Sequence, residues 1–143
     1  MSNTDFFASM EVSASGLAAE RTRMNVAASN LANAQTTQAE GGGPYKRRDV
    51  VLASAALPGT TGPDAQAIRG VQVSQITQDG SPPRLEYDPG NPQANAQGYV
   101  AYPNLNPVEE MVDMITASRA YEAGITTMST ASSMAERALS IGK

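Results

Sequence analysis

A chain of 143 residues with a formal net charge of −4 and a pI near 4.7 has room for one modest domain or two small pieces. It also lacks the basic surface that general nucleic-acid or anionic-membrane binding demands. It contains neither His nor Cys, which removes the commonest general base, the triad imidazole, the usual nitrogen and thiolate metal ligands, and every disulfide. Aromatic residues make up 5% of the chain, and Ala, Ser, Thr, Gly, Gln and Asn fill the space. Such side chains bury little area each at about 25 cal/mol per Å², so a lone monomer is expected to be marginal and to need partners.

The N-terminal segment, residues 1–36, reads as a helix rich in Ala, Ser and Asn and free of Pro. Met1 to Phe7 lacks a basic region and an apolar core, so no cleavable signal peptide is expected there. No apolar run approaches the ~20 residues of a membrane span. Asn3 or Thr4 is placed to cap the start. Phe7, Met10, Ala14, Leu17, Arg21, Met24, Ala28 and Leu31 alternate three and four apart, the 3.5-residue repeat that turns one stripe toward a partner helix. Arg21 on that stripe reads equally as a buried partner for a Glu of another helix or as a snorkelling edge residue. Gly41-Gly42-Gly43 marks where helix must stop. Ser15 beside Gly16 lacks the glycine two residues earlier that a nucleophile elbow needs.

Residues 37–106 hold eight of the nine Pro and nine of the twelve Gly, and read as an irregular insert. Tyr45–Leu52, Val71–Ile76 and Arg84–Tyr87 are expected as short strands. Pro58–Pro63 and Asp79–Pro83 read as loops, and Asp88-Pro89-Gly90 as a tight turn. The basic run Lys46-Arg47-Arg48 lies next to Asp49 and reads as an exposed strand end rather than a phosphate site. Pro44 follows the glycine triplet where a phosphate loop would have Lys and Ser/Thr.

Residues 107–143 form the firmest helix. Asn106 is a good N-cap, Pro107 suits the first helical position and Glu109 sits where a capping-box acid belongs. Gly142 is expected to end it. Met111, Met114, Ser118, Tyr121, Ile125, Met128, Ser132, Ala135 and Leu139 repeat the 3/4 alternation. The expected fold is therefore mainly α: long N- and C-terminal helices paired as a coiled-coil-like hairpin forming one helical domain, with a small β-containing insert between them. Parallel and antiparallel pairing both remain open. Phe6, Val12, Val26, Val112 and Ile115 are left as extra apolar surface for neighbouring molecules. Every methionine but the first lies on one of these helices, which suits seam packing better than a promiscuous groove. Glu109, Glu110 and Asp113 could serve as paired carboxylates or cation ligands. Acids in a first helical turn are more simply explained by the helix dipole.

Ser15-Gly16-Leu17-Ala18-Ala19-Glu20-Arg21 and Asn25-Val26-Ala27-Ala28-Ser29-Asn30-Leu31-Ala32-Asn33 resemble the N-terminal signature of flagellar rod and hook axial proteins. Pro44 to Leu52, Tyr87-Asp88-Pro89-Gly90-Asn91-Pro92 and Gly98 to Asn106 resemble the short proximal-rod subunits of that family. Val108 to Ile115 and Ala117 to Ala123 continue the likeness, which covers most of the chain apart from Gly59 to Gln66. Asn30, Leu31, Ala32, Asn33, Pro103, Asn104, Glu110, Met111, Arg119 and Tyr121 carry the family motif. Asn91 stands where the family usually has His, and Gly124 where it usually has Asn.

The resemblance implies a structural subunit that catalyses nothing, takes no cofactor, and binds neither nucleic acid nor a small-molecule substrate. Its implied partners are other rod subunits and copies of itself, with the membrane-ring adaptor and the export gate as further candidates. It further implies export through the flagellar type III apparatus into a periplasm-spanning rod. The expected packing positions are Phe7, Met10, Leu17, Met24, Leu31, Met111, Met114, Tyr121, Ile125, Met128 and Leu139. Two other classes stand beside this reading. One is a soluble helical adaptor, distinguished by the absence of concentration-dependent polymerisation. The other is a cell-wall hydrolase using Glu109, Glu110 and Asp113, distinguished by mutating those acids.

Overall fold

Thirty residues without Pro, and with one internal Gly, form α1 (Asn3–Ala32). The computed structural model describes residues 3–57 and 68–141, with the backbone alone for 3–5 and 141. The expected caps at Asn3 and Thr4, the Pro58–Pro63 loop and the Gly142 stop lie outside the described residues or side chains. At its C-terminus α1 stops at Ala32, well before the glycine triplet. Asn33 supplies the competing bonds: its amide donates to Ser29 O at 2.9 Å and accepts from the Thr36 hydroxyl at 3.1 Å. The backbone leaves through tighter turns, Ala34 N–H to Leu31 O and Thr36 N–H to Asn33 O. A short polar side chain at a helix end wins this competition locally.

The insert folds as two separate antiparallel ribbons. β1 (Arg48–Ala56) pairs with β2 (Arg69–Gln78), with Asp49 opposite Thr77 and Ala55 opposite Gly70. Val51 pairs with Gln75 and Leu52 with Val73, so Ser74 is the extra residue of a bulge. β3 (Arg84–Tyr87) pairs with β4 (Tyr99–Tyr102), and Tyr87 meets Tyr99 edge to face at 5.3 Å. The first strand starts at Arg48 rather than Tyr45, because Tyr45 and Arg47 are engaged elsewhere, as described below. β4 was hidden in sequence: four residues with two Tyr, one Val and one Ala make too short a run to separate from the loop around it. Between β3 and β4, Asp88 and Asn95 organise the turn through Asn91 N–H to Asp88 O and Gly98 N–H to Asn95 O.

The first ribbon lies against α1. Ser15 Oγ, which donates to Val12 O at 2.6 Å, accepts from Val71 N–H at 3.1 Å. Gly70 permits the approach, since a methyl group there would lie 2.7 Å from both Ser15 Oγ and Leu57 Cδ2. The serine that fails as a nucleophile is thus a docking residue for the strand.

α2 (Pro107–Ile141) begins as its sequence promises. Asn106 Oδ1 accepts from Val108 N–H at 3.0 Å, and Asn106 Nδ2 donates to Glu109 at 3.3 Å. Asn30 meets Glu110 and Leu17 meets Gly124, so α2 runs antiparallel along α1. The molecule is therefore a helical hairpin with a β insert.

Candidate functional site

Where α1 ends, the insert begins and α2 starts, three chain segments converge on one buried polar node. Asn30 and Glu110 are each 1% exposed. Burying an amide and a carboxylate costs several kcal/mol unless each polar atom finds a partner. Here Asn30 is fully satisfied. Its Nδ2 donates to Arg48 O at 2.8 Å and to Glu110 Oε2 at 2.9 Å. Its Oδ1 accepts from Tyr45 OH at 2.9 Å and from Arg48 N–H at 3.0 Å. Arg47 Nε donates to Glu110 Oε1 at 2.5 Å, with Asp49 and Asp113 3.8 and 3.7 Å from the same guanidinium. The hydrogen bond to Glu110 is the main reason the Arg47 guanidinium is held above its ordinary pKa, against the opposing effect of burial. Among the described residues no buried side-chain N or O lacks a partner.

Local sequence explains why these groups arrive together. Tyr45 N–H donates to Thr36 O at 2.9 Å, which turns the chain back alongside the end of α1. Arg47 and Arg48 then sit one residue apart and use opposite devices: Arg47 sends its side chain inward, whereas Arg48 gives its backbone to Asn30 and places its guanidinium over the Tyr45 ring. The basic run is therefore not simply an exposed strand end. It is Arg47, not Arg21, that pairs with a glutamate of the other helix, while Arg21 lies exposed.

The same geometry disposes of paired carboxylate chemistry at the start of α2. Glu110 spends both oxygens on Arg47 and Asn30, out of reach of a substrate. Among the described residues no group of three acids is gathered to hold a metal ion.

Along the hairpin the contact line differs from the stripe expected from sequence. On α2, Met114, Tyr121, Met128 and Ala135 are half-buried, and the alternate places belong to Glu110, Ala117, Gly124 and Ala131. Met111 and Ile125 stand one residue off that line, 42% and 47% exposed, and Leu139 also faces solvent. Ala117 is 0% exposed. On α1, Met10, Leu17, Met24 and Leu31 are half-buried, while Phe7, Ala14, Arg21 and Ala28 are exposed. Interaxial distance follows the size of the side chains at the contact, so small residues take the line of closest approach and larger ones ride at its edge. An apolarity count cannot see this, because it ranks Met and Ile above Ala and Gly.

The remaining motif residues split between the ends of the node and open surface. Asn33 holds the end of α1, Pro103 is buried, and Ala32, Asn104 and Arg119 are exposed. Asn91 sits in the turn after β3, where its Oδ1 accepts from Gln93 N–H at 3.0 Å. What α2 leaves uncovered is an outward ridge of Val108, Val112 and Ile115, with Met111 on its flank. No described helix is long and apolar enough to cross a membrane.

Two long helices at opposite ends of one chain thus pair antiparallel and are joined by a β insert. Residues 10–39 match the flagella basal body rod protein family, and residues 96–141 match the C-terminal family of the flagellar basal body rod FlgEFG proteins. The flagellar basal-body rod protein FlgC of Bacillus subtilis is 45% identical over 96% of this chain and 98% of its own length. FlgC of Salmonella typhimurium is 43% identical over 93% and 95%, and FlgC of Borreliella burgdorferi 42% over 94% and 96%. The chain belongs to the FlgC family of flagellar basal-body rod proteins.

Proposed function

We propose that this chain is a structural subunit of the proximal rod of the flagellar basal body. It polymerises with other rod subunits and with copies of itself into the hollow shaft that transmits motor torque, and it catalyses no reaction. The observation that carries the reading is the likeness to rod subunits along nearly the whole chain. The geometry agrees with it: the polar cluster at the helix junction is consumed internally, and α2 turns an apolar ridge outward. Residues 1–36 and 107–143 act as one coiled-coil-like helical unit, and residues 37–106 as the β-containing insert between the two helices. Phe7, Met111, Ile125 and Leu139, which the hairpin leaves exposed, pack against adjacent subunits. The chain reaches its site through the flagellar type III apparatus. The membrane-ring adaptor and the export gate are its further contacts.

Basal bodies isolated from cells carrying an epitope-labelled chain are expected to show the label within the rod, next to the membrane ring. Cells lacking the chain should secrete other axial proteins yet build no rod. Label found only in soluble fractions, with rods intact in its absence, would overturn the proposal.

A further inference from the structure

We infer that Gly124 is a register-setting notch: the missing side chain receives Leu17, and the pair indexes the hairpin on which the proposed rod surface depends. A methyl group at Gly124 would lie 2.7 Å from Leu17 Cδ2 and 3.2 Å from Leu17 Cγ. The 2.7 Å approach requires the Leu17 methyl, the far end of a flexible side chain, to swing aside, and the 3.2 Å approach requires Cγ to give by a few tenths of an ångström. The leucine therefore sits in the volume that any other residue would fill. Glycine inside a helix is unfavourable by roughly 0.5–1 kcal/mol relative to Ala, a cost that the notch accounts for.

A second fixed point makes the notch informative. The pair Asn30 and Glu110 is hydrogen-bonded at the junction. From Leu17 to Asn30 is 13 residues (30 − 17), and from Glu110 to Gly124 is 14 (124 − 110). At 1.5 Å per residue both intervals are about 20 Å. The two contacts thus agree on one antiparallel register. A node alone fixes only one point, because Ala-rich surfaces slide past one another at little cost. With both in place, a one-residue slip would rotate α2 by about 100° and carry Val108, Val112 and Ile115 away from their outward position. Gly124 is in this sense a positioning residue for the assembly surface.

The inference rests on the rod reading for its purpose but not for its test. The chain has no cysteine, so an introduced pair reports register cleanly. Met10→Cys with Ala131→Cys lies beyond the notch in the same register and is expected to form an intramolecular disulfide in the purified full-length chain. Adding Gly124→Leu should lower the cross-linked fraction several-fold, and adding Leu17→Ala to that variant should restore it, because the knob and the hole are then exchanged. A Leu variant that cross-links as well as the parent, or one that Leu17→Ala fails to rescue, would overturn the notch. So would a parent pair that does not cross-link at all. A notch that behaves as expected in solution while the rescued variant still builds no rods would count against the rod reading alone.

Discussion

The two ends of the hairpin are held by different physics. At the insert end, Asn30, Tyr45, Arg47 and Glu110 form a closed set of hydrogen bonds in which geometry is strict and substitutions are few. Toward the free end, Ala8 is buried and Ala131 and Ala135 are half-buried, side chains with little area to bury, and Phe7, Met134 and Leu139 are left exposed. Buried polar networks specify a unique arrangement even when their net contribution to stability is small. Small-residue contacts permit close approach but contribute little each. The difference teaches where this molecule is complete by itself and where it awaits a neighbour. The junction is finished within the chain, whereas the free end leaves Phe7, Met134 and Leu139 uncovered for the neighbouring subunits proposed above. Amide hydrogen exchange should follow that gradient, with α1 and α2 opening first at the free end.

The sharpest way to break the contrast is Glu110→Ala. It removes the acceptor for Arg47 and strands one donor of Asn30, and should destabilise the chain by about 3–5 kcal/mol, as removal of one partner from a buried pair does. Denaturant unfolding followed by circular dichroism measures it. A loss under 1 kcal/mol would mean the node closes through water instead. Second in size is Ala117→Leu, at the most enclosed point of the helix contact. Overpacking there should cost about 1–3 kcal/mol and separate the helices without disturbing the node, so the same unfolding experiment gives a smaller shift.

Ile115→Asp probes the open ridge. Because Ile115 is exposed in the monomer, its fold should change by no more than about 0.5 kcal/mol. The burial of an unpaired charge between subunits should nevertheless abolish rods. Equal swimming by mutant and parent would show that the ridge faces solvent in the assembly.

The smallest effect concerns pH. The Asp79 carboxyl is held below its ordinary pKa, first by the Ser81 hydroxyl and then by the Ser81 N–H, at 2.7 and 2.8 Å. A depressed folded-state pKa means that the contribution is present above the unfolded value and lost as pH falls through the folded one. Ser81→Ala should therefore raise the Asp79 titration midpoint toward the ordinary carboxylate range, seen by carbon-detected NMR below pH 5. The helices should stay unchanged.

Local signals in the sequence settled the elements with strong period or strong caps. The cap at Asn106 and Pro107 needs only neighbours in the chain, and so does the Pro- and Gly-rich character of the insert. The absence of His and Cys likewise needs no coordinates. The half of each stripe that recurs every seven residues, Met10, Leu17, Met24 and Leu31 against Met114, Tyr121 and Met128, was legible because apolarity and half-burial coincide there.

Tertiary structure alone decided the rest. That Arg47 rather than Arg21 would find Glu110 depends on the turn after α1, closed by Tyr45 N–H on Thr36 O, and on a pairing of residues far apart in sequence. The fate of Asn30, Tyr45 and Glu110 as one network could not be read from any window of the chain, since each is an ordinary surface type by composition. The choice of Gly124 over Ile125 for the contact line follows from how closely two helix axes approach. That distance is set by the smallest side chains between them, whereas a hydrophobic pattern reports only which side chains would rather leave water.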